Sequence, residues 1–387
     1  MAMLARYRMQ VGDLVRQDPV LAVALVLAVL SCLVVPPDAG YLSYVDLRTL
    51  GMLFSLMTVM AGLSRLGVFS AACRGLLAVA RGPRRLALAL TLLAFFSSML
   101  ITNDVALVTF VPLALLALGA LGSERLTCFT VVMMTIAANL GSMFTPVGNP
   151  QNLYLCSASH LPLADFLLLM LPYTVGALVL LVVAVGVFGR VADARLGDGD
   201  APERTDGTPS AAARVPLARV LPWLVVFACA LLSVARLLPF EVTVVAAIAV
   251  GFVADRGALA HVDYALLVTF VAFFVFVGNM GRIEVVDGVI AGLVSGHELA
   301  VAVGASQVLS NVPAAILLSG FTSNWQALIV GTNLGGLGTL IASMASLISY
   351  KQVALVLPRA KGRYLALFTV WNVVFLAALL VLHALLP

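Results

Sequence analysis

The sequence predicts an all-α polytopic membrane protein built from two inverted-topology repeats, each with a re-entrant hairpin and a broken transmembrane helix. Hydrophobic residues make up 62% of the chain and charged residues 10%, whereas soluble domains are usually about 25% charged. Apolar runs of roughly 20 residues recur, long enough to cross a bilayer as helices. A net charge of only +4 argues against nucleic acid as a partner and leaves the lipid bilayer as the expected environment. The third observation is a short polar pattern that occurs twice.

This pattern runs from Asn139 to Asn152 and again, 194 residues later, from Asn333 to Ser346. Its polar positions recur as Thr145, Asn149 and Asn152 in the first copy and as Thr339, Ser343 and Ser346 in the second. A second pair lies upstream: Ser98, Thr102, Asn103 and Asp104, and, 208 residues later, Ser306, Ser310, Asn311 and Val312. Polar segments at matching positions of two halves point to the binding site of a secondary transporter.

Nine apolar segments are predicted to span the membrane. They cover residues 19–36, 47–66, 127–156, 166–189, 220–238, 240–255, 264–281, 326–350 and 364–384. Two further segments, 86–118 and 299–322, carry the upstream polar motif in their middle, and we interpret them as hairpins that enter and leave on one side. The alternative is that each of them spans the membrane.

Loop charge predicts the orientation. With a cytoplasmic N-terminus and an external C-terminus, all but three of the 22 Lys and Arg residues lie on the cytoplasmic side, as the positive-inside rule requires. The exceptions are Arg48, Arg236 and Arg282. The first hairpin then opens from the cytoplasmic side and the second from the outer side, so the halves are inverted. The predicted division is a first repeat at 1–189, a linker at 190–219, and a linking span with the second repeat at 220–387.

Two connecting segments have specific expectations. The charged and Gly/Pro-rich segment 190–219 cannot bury a core and is predicted to be a flexible cytoplasmic linker, with a regulatory partner site as the alternative. Residues 284–295 carry an apolar stripe typical of an interfacial amphipathic helix. Residues 70–82 occupy the equivalent place in the first half. Both segments are either surface anchors or arms that join a fixed scaffold to a moving part.

The first broken helix is expected around Thr145, Pro146, Gly148 and Pro150, because proline inside a helix removes a hydrogen bond and clashes with the preceding turn. Unpaired backbone groups at membrane depth are tolerated only where protein or a water-filled cavity satisfies them. Exposed carbonyls and the oxygens of Ser, Thr and Asn suit a hard monovalent cation, and half-helix N-termini suit an anion.

The hairpin motifs add side chains to this site. Ser98 and Thr102 are four residues apart, as are Ser306 and Ser310, so each pair shares one helical face. Asn103 and Asn311 follow at the predicted hairpin tips. Small hydroxyl residues are also common where membrane helices pack, which is the alternative role for Ser98 and Ser306.

Asp104 is the one acidic residue deep in an apolar stretch, and a carboxylate at that depth is a candidate functional group. It could carry a coupling proton or help to hold a cation; the alternative is that it caps a half-helix. The second hairpin has Val312 at this position.

At these motifs the chain resembles the ion transporter superfamily, which includes divalent-anion/sodium symporters, citrate-type carriers and arsenite-efflux permeases. Thr102-Asn103 and Ser310-Asn311 match the hairpin tips, and the segment from Thr145 to Asn152 matches the first broken helix. Asn103-Asp104 and the segment from Asn333 to Ser346 look closer to the arsenite-efflux branch. The resemblance implies a homodimer with mobile transport domains and a substrate bound between the tips. Any Na⁺ would be held by Ser98, Thr102, Asn103, Ser306, Ser310 and Asn311.

The sequence therefore predicts a secondary active transporter of a small anion or oxyanion, driven by a Na⁺ or H⁺ gradient through elevator-type alternating access. No other cofactor is expected, and a bacterial inner membrane is the expected location. Efflux of arsenite or antimonite and Na⁺/H⁺ antiport are alternatives. An intramembrane enzyme is disfavoured because it would need paired catalytic groups, and only one intramembrane acid and no intramembrane histidine are present.

Overall fold

The computed structural model describes residues 19–79, 82–196 and 216–386. Within these ranges the chain is helical and no β-strand occurs, as the sequence predicts. Before residue 197 the helices are α1 (Pro19–Val34), α2 (Tyr41–Tyr44), α3 (Leu47–Arg65), α4 (Val68–Val79), α5 (Pro83–Ser98), α6 (Asn103–Gly119), α7 (Glu124–Ser142), α8 (Pro150–Ala158) and α9 (Leu163–Leu196). After residue 215 they are α10 (Leu217–Val234), α11 (Phe240–Ala254), α12 (Arg256–Ala260), α13 (Tyr264–Met280), α14 (Glu284–Val294), α15 (Glu298–Leu309), α16 (Asn311–Ser319), α17 (Trp325–Leu334), α18 (Met344–Val356) and α19 (Lys361–Leu385).

Both segments predicted to be broken helices are interrupted. The first consists of α7, a 3-10 turn at Pro146–Gly148, and α8. Pro146 and Pro150 each stand at the start of the next helical segment, where a missing N–H is harmless. In the second, residues 335–343 separate α17 from α18, and Gly338 in this gap has a φ of +113° that favours glycine.

Each predicted hairpin consists of two consecutive helices that pack against each other, α5 with α6 and α15 with α16. Residues 99–102 separate the first pair, whereas Ser310 alone separates the second. The helix–break–helix pattern is therefore present in both segments. That each pair enters and leaves on one side stays a prediction.

Fewer unbroken helices have spanning length than the nine predicted. In the described part of the chain, five are long and apolar enough to cross a bilayer: α3, α7, the first part of α9 (Leu163–Phe188), α10, and the segment Pro358–Leu385. Two of the predicted spans are divided by their breaks, and α1, α11 and α13 are shorter than 18 residues. The helical content and the apolar helices identify a polytopic membrane protein.

The predicted linker begins too early and ends too late. The helix α9 continues through residues 190–196, and α10 already begins at Leu217. The sequence between residues 187 and 196 contains only one glycine and no proline, so nothing in it ends the helix. Residues 197–215 of the predicted linker lie outside the described residues.

The two predicted amphipathic segments form α4 and α14. The axis of α14 is bent by 105° from that of α13. Within its apolar stripe, Val285, Val289 and Leu293 are exposed, whereas Val294 is buried. An exposed apolar stripe on a sharply bent helix fits the prediction of a helix at the membrane surface.

Buried apolar side chains form two clusters. The larger one lies mainly among α5, α6, α7, α9, α17, α18 and α19. The smaller one lies mainly among α1, α3, α10 and α13, and it also receives Val147, Leu153 and Ile316 from the interrupted segments. The described residues therefore form two packed regions, and the helices α3, α10 and α16 and the broken helix α7–α8 contribute to both.

Among the described residues, three ion pairs join distant parts of the chain, and each one connects residues that the predicted topology puts on the same side. They are Arg65–Asp255 at 2.5 Å, Arg282–Asp38 at 2.8 Å and Arg363–Glu124 at 3.2 Å. The hydrogen bond from Arg65 lowers the pKa of Asp255, so this pair stays ionised at neutral pH.

Candidate functional site

The centre of the candidate site is Asn139, near the end of α7. Its side-chain oxygen Oδ1 accepts hydrogen bonds from Asn103 Nδ2 and from Ser343 Oγ, both at 3.0 Å. Asn103 opens α6 at the tip of the first hairpin, and Ser343 precedes α18 in the second broken helix. One amide therefore connects the first hairpin with both broken helices.

Asn333, the equivalent of Asn139 in the second copy, makes a matching connection. Its Nδ2 donates to Asn152 Oδ1 at 2.6 Å, and Asn152 belongs to α8 in the first copy. Asn149 Nδ2 in turn donates to Ser142 Oγ at 2.6 Å. Each broken helix thus contributes an asparagine that bonds to the other, and the two breaks face each other.

Four helices begin at this cluster. They are α6, α8, α16 and α18, and the residues before them are Thr102, Asn149, Ser310 and Ser343. The second hairpin joins the cluster because the Asn311 N–H donates to the Ala342 carbonyl at 3.0 Å. Helix N-termini carry partial positive charge and free N–H groups, so this convergence favours an anionic or oxygen-rich ligand.

Several buried polar atoms in the cluster have no hydrogen-bond partner among the described residues. They are Asn139 Nδ2, Asn333 Oδ1, Ser346 Oγ, and both side-chain polar atoms of Gln151. All four residues are at most 4% exposed. An unpaired buried polar group costs about 1–3 kcal/mol, so these atoms are expected to be satisfied by a bound ligand or water. The free Nδ2 of Asn139 is a hydrogen-bond donor, the free Oδ1 of Asn333 is an acceptor, and the Ser346 hydroxyl can act as either.

Other predicted site residues hold the hairpins to the broken helices instead of pointing at a ligand. The hydroxyl of Thr145 donates to the Met99 carbonyl, and that of Thr339 donates to the Gln307 carbonyl at 2.9 Å. Because Met99 and Gln307 are also 208 residues apart, the two contacts are equivalent.

Ser98 and Ser306 lie at equivalent helix contacts. Each hydroxyl bonds to a carbonyl of its own helix, and a Cβ atom added to Gly141 or Gly335 would lie 2.6 Å from Ser98 Oγ or Ser306 Oγ, respectively. These positions fit the helix-packing role that was the alternative for both serines. Gly148 is likewise needed for close approach, since an added Cβ would lie 2.3 Å from the Ser142 carbonyl oxygen.

Asp104 lies in the first turn of α6 and does not cap it, because Thr102 occupies the capping position and accepts from the Val105 N–H. The capping alternative for Asp104 is therefore wrong. Its backbone N–H donates to Asn103 Oδ1 at 2.9 Å, whereas its own carboxylate oxygen Oδ1 has no partner among the described residues. Negative charge in the first turn of a helix is favourable.

Asp104 lines a cavity of about 390 Å³ between α3 and the first hairpin. Thr102 and Asn149 also line it, and Arg65 and His261 lie at the end that is on the cytoplasmic side in the predicted topology. The cavity therefore extends from Arg65 and His261 to the edge of the asparagine cluster.

The two hairpins differ in their access to the surroundings. Val108 of the first hairpin is 53% exposed and lines the cavity, whereas its equivalent Ile316 in the second hairpin is fully buried against the smaller core. The structure is therefore open beside the first hairpin and packed shut beside the second.

Asn139 and Asn333, the two asparagines that form the centre, were not predicted as site residues, and neither were Ser142, Gln151 and Gln307. Asn139 and Asn333 are the first residues of the repeated pattern, so the repeat itself contains the signal that identifies them. Gln307 has no polar counterpart in the first half, and a search for shared residues therefore cannot find it.

The chain matches one known protein family and several individual proteins. The citrate transporter family matches residues 15–325. Inner membrane protein YbiR of Escherichia coli is 32% identical over 79% of this chain and 80% of its own length. An uncharacterized transporter of Methanocaldococcus jannaschii is 28% identical over 71% of this chain and 73% of its own length. The silicon efflux transporter LSI3 of Oryza sativa is 35% identical over 36% of this chain and 28% of its own length.

The matched family is a family of transporters, and the Methanocaldococcus jannaschii relative is named a transporter, so the prediction that this chain is a transporter and not an enzyme is confirmed. The resemblance to the ion transporter superfamily is also confirmed. The chain belongs to the citrate transporter family of membrane transporters.

Proposed function

We propose that the protein is a secondary active transporter of a small anion or oxyanion, coupled to a Na⁺ or H⁺ gradient. The observation that carries this proposal is the set of four helix N-termini that meet at buried, unpaired amide and hydroxyl groups. Such a site attracts negative charge through N–H groups and helix dipoles without a basic side chain. A small ligand between the two breaks would contact both copies of the repeat at once.

The same site also supports a second candidate, the efflux of a neutral oxyacid such as arsenite or antimonite. Asn139 offers a free donor, Asn333 a free acceptor, and Ser346 a hydroxyl that does both. A hydroxyl-bearing neutral acid needs both kinds of partner, whereas a full anion only accepts. The partial similarity to a silicon efflux transporter favours this candidate further.

Asp104 is the proposed coupling group in either case. Its unpartnered carboxylate oxygen lies beside the cavity and one residue from Asn103, which bonds to the centre. It can take up a proton or help to hold a cation when the cavity is open. Na⁺/H⁺ antiport would use the same residue without an organic or oxyanion substrate.

Alternating access is the proposed mechanism, in a homodimer whose transport regions move relative to its scaffolds. The two packed cores support this division, since the smaller core around α1, α3, α10 and α13 can serve as the scaffold. The bend between α13 and α14 supports the role of α14 as a connecting arm. The cavity beside the first hairpin then corresponds to the inward-open state.

The test is uptake and efflux in proteoliposomes with citrate, phosphate, arsenite and silicic acid under imposed Na⁺ or H⁺ gradients. One of these substrates should move in response to a gradient. Asn139→Ala and Asn333→Ala should each lower the rate of anion transport about tenfold or more, because losing a hydrogen bond to a charged ligand costs about 1.5–3 kcal/mol.

Asn372→Ala is the matched control. Asn372 is fully buried in α19 and also has an unpartnered Oδ1, but it lies outside the cluster. This variant should transport at the parent rate if it remains folded. Gradient-independent flux, or unchanged transport in both cluster variants, would contradict the proposal.

A further inference from the structure

The helices α8 and α10 end next to each other, at the face that the predicted topology puts outside, and an unusual backbone follows each of them. His160 after α8 has a φ of +56°, and Arg236 after α10 has a φ of +61°. In the described part of the chain, Ser310 is the only other non-glycine residue with a positive φ. Glycine is the usual residue at such a position, because a side chain disfavours the left-handed conformation. Two large side chains therefore stand where glycine is expected.

These two side chains are hydrogen-bonded to each other. Arg236 Nη1 donates to His160 Nδ1 at 2.9 Å, and Arg236 Nη2 donates to the carbonyl oxygen of Ser157, in the last turn of α8, at 3.3 Å. A guanidinium group has donors only, so Nδ1 is the acceptor and the His160 ring is neutral in this contact. A cation at the C-terminus of a helix is favourable. The side chains thus make a connection that two glycines could not make.

The neighbouring Arg48 makes the same kind of contact inside one region of the molecule. Arg48 Nη2 donates to the carbonyl oxygen of Ser233 at 2.7 Å, and this oxygen also accepts from the Arg236 N–H. Arg48 lies in α3 and Ser233 in α10, two helices of the proposed scaffold. The Arg236 side chain, in contrast, reaches from the end of α10 to α8, which belongs to the first broken helix.

The helix α8 also packs on the smaller core through apolar side chains. Leu153 is buried there, and the ring of Tyr154 contacts those of Phe270 and Phe274 in α13. Apolar contacts are non-directional and tolerate sliding, whereas a hydrogen bond requires a defined distance and angle. The Arg236 contact lies at the opposite end of α8 from Asn149, which lines the cavity. The two ends of α8 therefore differ, with the cavity at one end and a directional contact at the other.

We infer that the contact between Arg236 and His160 is a latch, which holds the end of α8 against the scaffold while the cavity beside the first hairpin is open. In this role the latch breaks before the outer side opens. Arg236 and His160 are thus positioning residues that set the balance between two states and touch no ligand. The inference rests on the alternating access that is part of the proposed function.

Two introduced thiols measure this balance without a substrate. In a background without the five native cysteines, Val108→Cys beside the cavity reports the state described here, and Ile316→Cys in the smaller core reports the opposite state. Purified protein in lipid nanodiscs exposes both sides to a water-soluble maleimide. The ratio of the two labelling rates is compared between the parent and the variants Arg236→Met, which removes the donor, and His160→Phe, which removes the acceptor.

Each variant should lower the ratio of Val108→Cys labelling to Ile316→Cys labelling about three- to tenfold, because one state alone loses a hydrogen bond to a charged group. The two changes together should have no more effect than Arg236→Met alone, since both remove one contact. His160→Asn should keep the parent ratio. Its Oδ1 can accept in place of Nδ1, and asparagine tolerates the left-handed backbone.

Arg48→Met is the matched control. It removes a bond from an arginine to the carbonyl oxygen of a helix end, but this bond lies within the scaffold, so the parent ratio should remain. A purely structural role of Arg236 would lower the melting temperature Tm of Arg236→Met and leave the ratio unchanged.

A parent ratio in both Arg236→Met and His160→Phe would overturn the inference, and so would an equal shift in Arg48→Met. If one variant fails to fold, the other still decides. A shifted ratio in a protein that moves none of the tested substrates would support the latch and contradict the proposed function. Gradient-driven transport with an unshifted ratio would support the proposed function and contradict the latch.

Discussion

The backbone of Ser310, at the tip of the second hairpin, has φ of +77° and ψ of 153°, a region used almost only by glycine. Thr102 at the first tip has an ordinary φ of −61°. Such strain costs of the order of 1–3 kcal/mol and persists only where surrounding contacts hold it. The position next to Asn311 suggests that the strain fixes the direction of this tip toward the site.

Replacing Ser310 by glycine should therefore stabilise the protein by about 1 kcal/mol, because glycine adopts this conformation without strain. Ser310→Ala is the control, since it removes the same hydroxyl but keeps the strained backbone. Thermal melting in detergent compares the two. Equal Tm values for the glycine and alanine variants would show that the tip carries no strain.

The residues that recur in both copies are the ones whose closeness in space the sequence could indicate, and their role in binding stays a prediction. Asn103, Asn149, Asn152 and Ser343 were predicted as site residues, and hydrogen bonds through Asn139 and Ser142 connect them in one cluster. Their exact partners could not be predicted, because hydrogen bonds between Asn139 and Ser343 depend on how the two breaks face each other in space.

At the scale of helices, Gly141 determines how closely α5 and α7 approach. An added Cβ would lie 2.1 Å from the carbonyl oxygen of Phe95, a backbone atom that cannot rotate away. Small residues permit this kind of contact between membrane helices. At the equivalent Gly335, directly after α17, an added Cβ would instead meet the Ser306 side chain of α15, with the hydroxyl at 2.6 Å, so a close glycine contact occurs in both copies.

Gly141→Ala should therefore destabilise the protein by about 1–3 kcal/mol through overpacking. Gly304→Ala is the matched change in α15, where nothing lies within 4 Å of the added atom, and it should be neutral or stabilising by about 0.5–1 kcal/mol. Tm values from the same melting assay provide the comparison. A Gly141→Ala variant that melts with the parent would show that the helices can separate at little cost.

Helix positions were predicted within a few residues for most segments, because apolar runs and prolines act locally. The predicted hairpin 299–322 corresponds to α15 and α16, and the predicted segment 284–295 to α14. The ends of α9 and the short helices α2 and α12 were not predicted. Helix ends depend on caps and packing, and four- or five-residue helices leave no periodic pattern in the sequence.

At the scale of the whole molecule, equivalent residues of the two hairpins have different surroundings. Val108 lines the open cavity, whereas Ile316, on α16, is buried in the smaller core. If the two copies are inverted as predicted, equal conformations would give equal access, so in the proposed mechanism this difference corresponds to one of two states. Exchange of these surroundings between the copies would give the opposite state of an alternating-access cycle.

Accessibility of introduced thiols tests this exchange. In a background without the five native cysteines, Val108→Cys should react with a membrane-impermeant maleimide in inside-out vesicles and resist it in right-side-out vesicles. Ile316→Cys should be protected from the cytoplasmic side and react from the outside when transport conditions populate the opposite state. Val370→Cys, exposed on α19 away from the cavity, is the control for a thiol in lipid. Labelling of Val108→Cys only from the outside would reverse the predicted orientation, and labelling of Ile316→Cys from the same side as Val108→Cys would contradict alternating access.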